Sequence, residues 1–190
     1  YFSSDRPGGY GGKDIYGSRH MPDGRWSKPE NLGPKINTAG DESCPFIHAD
    51  NQTMYFTSNG LMGYGGDDLF LARKKSDGSW DYVENLGYPI NTIENEGSLI
   101  VAADGITAYY ASDRNDTRGG LDIYTFELRK DIRPSRTLWV QGRVFDSQTG
   151  NGLPSAVELI DLQTDQTIVK VQTDEVGEYL ITLPLGKDYA

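Results

Sequence analysis

Apolar positions along this chain fall into two regimes. Through residue 128 they gather in short continuous runs, Met54-Tyr55-Phe56 and Leu69-Phe70-Leu71-Ala72 among them, bounded by Gly, Asn, Asp and Ser. Runs this short, rich in aromatic and branched residues, predict strands covered on both faces. From residue 137 the pattern becomes an alternation: Leu138-x-Val140-x-Gly142-x-Val144, Val157-x-Leu159-x-Asp161 and Ile168-x-Lys170-x-Gln172. Alternation turns one face of a strand inward and the other to water, and turns at 148–152 and 174–177 separate these strands, so a small β-sandwich is expected. Between the regimes lies Arg129-Lys130-Asp131-Ile132-Arg133-Pro134-Ser135, charged and proline-containing, which reads as a linker. The chain is expected to be all-β: 1–128 one domain, 129–136 a linker, 137–190 a second domain.

The first regime is periodic. Tyr1-Phe2-Ser3-Ser4 returns as Tyr55-Phe56-Thr57-Ser58 and as Tyr109-Tyr110-Ala111-Ser112. Asp14-Ile15-Tyr16, Asp68-Leu69-Phe70 and Asp122-Ile123-Tyr124 follow at a constant spacing of 54 residues, and Asn31-Leu32-Gly33 and Ile36-Asn37-Thr38 recur in the same register. A fixed period near 50 built of strand-like pieces denotes a supersecondary unit stacked on its own copies. The complete unit predicts strands at 43–48, 53–58, 68–73 and 80–85. Asp50-Asn51 and Asp77-Gly78 make its tight turns, as Asp23-Gly24 and Asp104-Gly105 do in its neighbours, because Asn and Gly accept the positive φ that hairpins need. A four-stranded antiparallel meander with neighbours on both faces, repeated radially, is a β-propeller blade. The third copy has strands expected at 98–103, 107–112 and 121–128 but neither Trp nor Asn-Leu-Gly after them, as a last blade would. Since three blades do not close a propeller, further blades are expected before Tyr1, one of them lending the third copy its outer strand.

The residues also carry a family resemblance. Asp41-Glu42, Pro45, Asp50, Tyr55-Phe56 and Ser58, followed by Gly65-Gly66 and Asp68-Leu69-Phe70, resemble the WD40-like repeat of TolB-type periplasmic propellers. The version ending in Asn-Leu-Gly-x-x-Ile-Asn-Thr resembles propellers of large Bacteroidetes-type envelope proteins. In the second domain, Gly142-Arg143-Val144-x-Asp146, Thr149-Gly150, Leu153-Pro154, Ala156-Val157-x-Leu159, Thr173-Asp174 and Gly177-x-Tyr179 resemble the carboxypeptidase regulatory-like domain, a transthyretin-type sandwich. That family would make a further strand after Ala190, so truncation is expected at this end too. The pairing of these domains resembles the middle of OmpA-family outer-membrane lipoproteins, some of which tie type IX secretion machinery to the cell wall. The resemblance implies a periplasmic, outer-membrane-associated scaffold with envelope proteins as partners. It also implies a lipid anchor and a peptidoglycan-binding domain outside these residues.

Composition narrows the chemistry. The net charge is −10, and an acidic surface repels phosphate backbones, so nucleic acid is not expected as a partner. No apolar run is long enough to span a bilayer as a helix. Cys44 is the single cysteine, which excludes an intrachain disulfide and a cysteine-based metal site; in the apolar stretch 43–47 it reads as a small buried hydrophobe. With His20 and His48 the only histidines, no nucleophile–base pair assembles, and neither catalytic residues nor a cofactor are expected.

Asp14, Asp68 and Asp122, each after a Gly-rich stretch at a strand start, suit carboxylates that accept backbone N–H groups and fix a turn. Being copies, they are expected to be structural, as are Asn37 and Asn91 and the pair Trp26 and Trp80. Ser76-x-Gly78-x-Trp80 vaguely resembles the aspartate-box turn of sialidase propellers, itself a fold element. Asp67-Asp68 and Asp113-x-x-Asp116 lack the calcium-ligand spacing of an EF-hand, so no metal is expected. Function is expected on the loops between second and third strands, which a propeller would gather on one face. Arg6, Tyr10, Leu61, Met62, Tyr64, Arg114 and Arg118 lie there and are types enriched in contacts. A non-enzymatic interaction scaffold is the favoured reading. The alternatives are a glycan or peptidoglycan-fragment binder using Tyr10 and Tyr64, and a propeller accessory to a hydrolase domain outside these residues.

Overall fold

A computed structural model describes all of residues 1–190 except Pro22, Asp23 and Ser76. Half of the expected Asp23-Gly24 turn and the first residue of the aspartate-box resemblance therefore lie outside the described residues. The chain forms two compact units, 1–135 and 136–190. Both are all-β, and among the described residues the sole helical element is a 3₁₀ turn at Lys130–Ile132.

In the first unit, β1 (Phe2–Ser4), β2 (Asp14–Gly17) and β3 (Glu30–Asn31) form one antiparallel sheet. β4 (Glu42–Ile47), β5 (Thr53–Ser58), β6 (Asp68–Lys74) and β7 (Trp80–Asn85) form the second, a four-stranded meander paired in chain order as expected. β8 (Glu96–Val101), β9 (Thr107–Ser112) and β10 (Asp122–Glu127) form the third. None of the sheets closes on itself.

The continuous apolar runs have the expected cause. In the β5–β6 pair, Tyr55 faces Leu71 and Phe56 faces Phe70, so neighbouring residues cover opposite faces of the sheet. Tyr55, Leu69 and Leu71 share a core with Leu99, Val101, Ala108 and Tyr110 of the third sheet. Met54, Phe56, Phe70 and Ala72 share another with Ile15 of the first and Ile36 of the turn that follows it. Loops tie the sheets in register. Gly12 N–H donates to Gly40 O at 2.9 Å, and its counterpart Gly66 to Glu94 O at 3.1 Å. The chains run so close here that a Cβ on Gly11 would lie 2.4 Å from Gly40 O and one on Gly65 2.3 Å from Glu94 O. Glycine recurs at this position because the next copy's turn occupies the side-chain space.

Two sequence expectations change. Cys44 is exposed rather than buried. A β-bulge between Ser43 and Phe46 breaks the β4–β5 register and sets Cys44 at φ +49°, turning its side chain out of the sheet. Ser98 occupies the same bulge one repeat later, at φ +54°, with its Oγ 3.5 Å from Cys44 Sγ. The expected linker, moreover, is packed onto the first unit as far as Ser135. Ile132 is fully buried, Tyr55 Oη donates to its carbonyl at 2.5 Å, and Arg73 Nη2 donates to Asp131 O and Arg133 O, each at 3.0 Å.

In the second unit, β11 (Thr137–Arg143) pairs with β14 (Glu178–Pro184), and β12 (Ala156–Asp161) with β13 (Gln166–Gln172), as two separate antiparallel ladders. Asp146 caps the expected 148–152 turn by accepting the Gln148 and Thr149 N–H groups at 2.9 and 2.7 Å.

Candidate functional site

The repeated carboxylates and amides form a polar frame. Asp14 Oδ2 accepts the N–H of Tyr10 and the amide of Asn31, both at 2.7 Å. Asp68 Oδ2 accepts the N–H groups of Tyr64 and Gly65 at 2.9 and 3.2 Å, and Asp122 Oδ2 that of Arg118 at 2.9 Å. Burial drives the Asp68 carboxyl above the usual carboxylate range against these N–H bonds, and the Glu96 charge adds to the rise. Asn37 bonds both backbone groups of Ile15, and Asn91 those of Leu69. The tryptophans diverge: Trp80 is 7% exposed within the core shared with the first sheet, whereas Trp26 is 67% exposed and packs edge-on against His20.

Sequence reasoning passed over a third element of this frame, Glu42 and Glu96, both fully buried. Glu42 accepts Thr38 N–H, Thr38 Oγ1 and Ser58 Oγ, each at 2.7 Å. Glu96 repeats the set with Thr92 N–H, Thr92 Oγ1 and Ser112 Oγ at 2.8, 2.7 and 2.8 Å. Thr-x-x-x-Glu at the same register in two copies was the available signal.

The seven loop residues expected to bind separate into groups. Arg6 lies over the rings of Phe2 and Tyr16, at 5.0 and 4.7 Å, and Arg114 over Tyr110 and Tyr124, at 5.3 and 4.6 Å. Arg114 also donates to Ile90 O at 2.9 Å and to the Tyr110 hydroxyl, so both guanidiniums are held by their own sheets. Leu61 is half-buried against the core between the first and second sheets. Tyr10, Met62 and Arg118 are exposed.

Tyr64 and Arg114 meet in a groove of about 400 Å³ between loops of the second and third sheets. Tyr64, from the β5–β6 loop, lines it. Tyr88-Pro89 and Thr92-Ile93-Glu94, from the connection between β7 and β8, run along it. Arg114-Asn115-Asp116, from the β9–β10 loop, complete the lining. Tyr64 is 57% exposed, and Tyr88 and Ile93 are each 74% exposed. The groove thus presents two tyrosine rings and an aliphatic side chain to solvent with carboxylates beside them. A larger hollow of about 660 Å³ lies between the first and second sheets, lined by Tyr1, Lys35, Lys74 and Trp80 among others. Among the described residues no three His, Cys, Asp or Glu side chains gather as a metal site.

The fold and groove define an all-β repeat protein of stacked antiparallel sheets with an aromatic cleft on its loops. Comparison with family models, with curated proteins and with solved structures returned no match.

Proposed function

We propose that residues 1–135 are blades of a β-propeller, that the second unit is a carboxypeptidase regulatory-like sandwich, and that the chain is a non-enzymatic interaction scaffold of the periplasm. In this reading its partners are envelope and outer-membrane proteins, and it belongs to an OmpA-family assembly that links type IX secretion machinery to peptidoglycan through a domain outside these residues. Support for the propeller comes from sheets stacked face to face through shared cores at a constant 54-residue spacing. The observation that carries the scaffold reading is the groove at Tyr64, Tyr88 and Ile93. Buried carboxylates of the repeat are committed to turns, while the exposed aromatic surface at the groove is of the kind that marks interaction sites.

A photo-crosslinking residue at Tyr64 or Tyr88 of the intact protein in its native envelope tests this, with exposed Lys170 of the second unit as the control position. Capture of defined envelope proteins from the groove positions, and not from position 170, is the expected result. Adducts with glycan strands alone would replace the protein scaffold with a glycan binder, and identical capture from all three positions would remove the groove from function.

A further inference from the structure

The groove is built where the repeat breaks its own pattern. At the register 54 residues earlier, Tyr88 corresponds to Pro34, Pro89 to Lys35, Ile93 to Ala39, Glu94 to Gly40, Asn115 to Leu61 and Asp116 to Met62. A residue needed to stack one sheet on the next should recur in each copy, as Asn37/Asn91 and Glu42/Glu96 do. Tyr64 and Thr92 recur as Tyr10 and Thr38, and Arg114 as Arg6 two copies earlier, but these other six side chains do not recur, so stacking does not account for them.

Its charge is also one-sided. Arg114 is the only cation among its lining residues, and that guanidinium is engaged by Ile90 O, Tyr110 and Tyr124 and lies 3.9 Å from buried Glu96. Glu94 and Asp116 remain; among the described residues no Lys or Arg is ion-paired with either. The chain as a whole adds a net charge of −10. A cationic group is therefore drawn to the cleft and an anionic one repelled.

We propose, resting on the reading of this groove as a docking site, that its occupant is an extended polypeptide segment. It sets proline or aliphatic side chains against Tyr64, Tyr88 and Ile93, and a lysine or arginine against the carboxylate of Glu94 or of Asp116. Aromatic-lined clefts take proline-rich segments because such segments are already extended and lose little entropy on docking. The volume of about 400 Å³ is that of a small-ligand site and suits a few side chains rather than a folded surface.

The test is fluorescence anisotropy on the whole chain with short labelled peptides of Pro and Val around a single Arg, against the same peptides carrying Glu in its place. The Arg peptides should bind and the Glu peptides should not. Tyr88→Ala should weaken binding by about tenfold or more. Glu94→Lys should reverse the preference toward the Glu peptides, a gain that a misfolded variant could not show. Equal affinity for Arg and Glu peptides, or parent affinity in Tyr88→Ala, overturns the proposal, as does binding found on a glycan array alone. If no peptide binds while a crosslinker at Tyr88 still captures a folded envelope protein, the extended-segment chemistry fails and the docking reading stands.

Discussion

Asn91 shows how single residues hold this repeat together. It is fully buried, its Oδ1 accepts Leu69 N–H, and its Nδ2 donates to Leu69 O and Asn85 Oδ1, all at 2.8 Å. The amide thereby exchanges both hydrogen bonds with one residue's backbone, as a partner strand would. Asn37 does the same for Ile15 at 2.8 and 3.0 Å. No other side chain of this size offers a donor and an acceptor in that geometry. Asn91→Asp keeps the shape but turns an oxygen toward the Leu69 carbonyl, so buried acceptors face each other. We expect a loss of about 2–4 kcal/mol of stability. In urea unfolding it should appear as a lower midpoint with an unchanged slope. An Asn91→Asp chain as stable as one carrying Asn115→Asp, a change in the exposed groove, would contradict this account.

At the scale of elements, strands were legible where side chains announce them. The spans expected at 53–58, 80–85 and 107–112 coincide with β5, β7 and β9. β4 and β8 start earlier than expected, at Glu42 and Glu96, because a carboxylate opening a strand has no hydrophobic signature. β14 enters the sequence reading only through the motif Gly177-x-Tyr179. Residues 129–135 misled through composition: their single large apolar residue, Ile132, fills the core between the second and third sheets, and its burial contributes about 2 kcal/mol. Asp50 fastens the end of this segment, its Oδ2 accepting Ser135 N–H at 2.8 Å and Thr53 Oγ1 at 2.8 Å, and its Oδ1 accepting Gln52 and Thr53 N–H, both at 3.0 Å. Burial acts to raise its carboxyl, but these bonds and the His48 imidazole outweigh burial and lower it from 3.8 to about 2. A carboxyl depressed on folding stabilises the native state above its unfolded value, and that contribution fades as pH falls from about 4 toward about 2. It amounts to about 2 kcal/mol. We expect Asp50→Asn to lower stability at neutral pH and to flatten the acid limb of a stability–pH profile over that window. Parallel profiles for the two proteins would assign the acid sensitivity elsewhere.

Across the whole molecule, the repeat was readable because identical side chains meet identical neighbours, while the groove was readable only in part. Tyr64 and Arg114 stand in loops whose glycines mark them, but Tyr88 and Ile93 lie in the connection after Asn-Leu-Gly, which reads as a copy of its predecessor until the two are compared position by position. The same stacking sets an order of stability. The second sheet has a core on each face, whereas the third covers one face with Leu99, Val101, Ala108 and Tyr110 and leaves Ile100, Tyr109 and Ile123 exposed on the other. Among the described residues, the second unit contributes only Ile181 to the fully covered apolar set. When repeats are stabilised by their neighbours, an element with two covered faces opens last, and amide exchange reports that order. For this 190-residue chain we expect the amides of β5 and β6 to exchange slowest, those of β9 faster, and those of β10 and the β12–β13 ladder fastest. Hydrogen exchange followed by mass spectrometry resolves these segments. Protection of β10 or β12–β13 equal to that of β5 would mean that the sheets open as one cooperative block, and that stacking on both faces does not set the hierarchy.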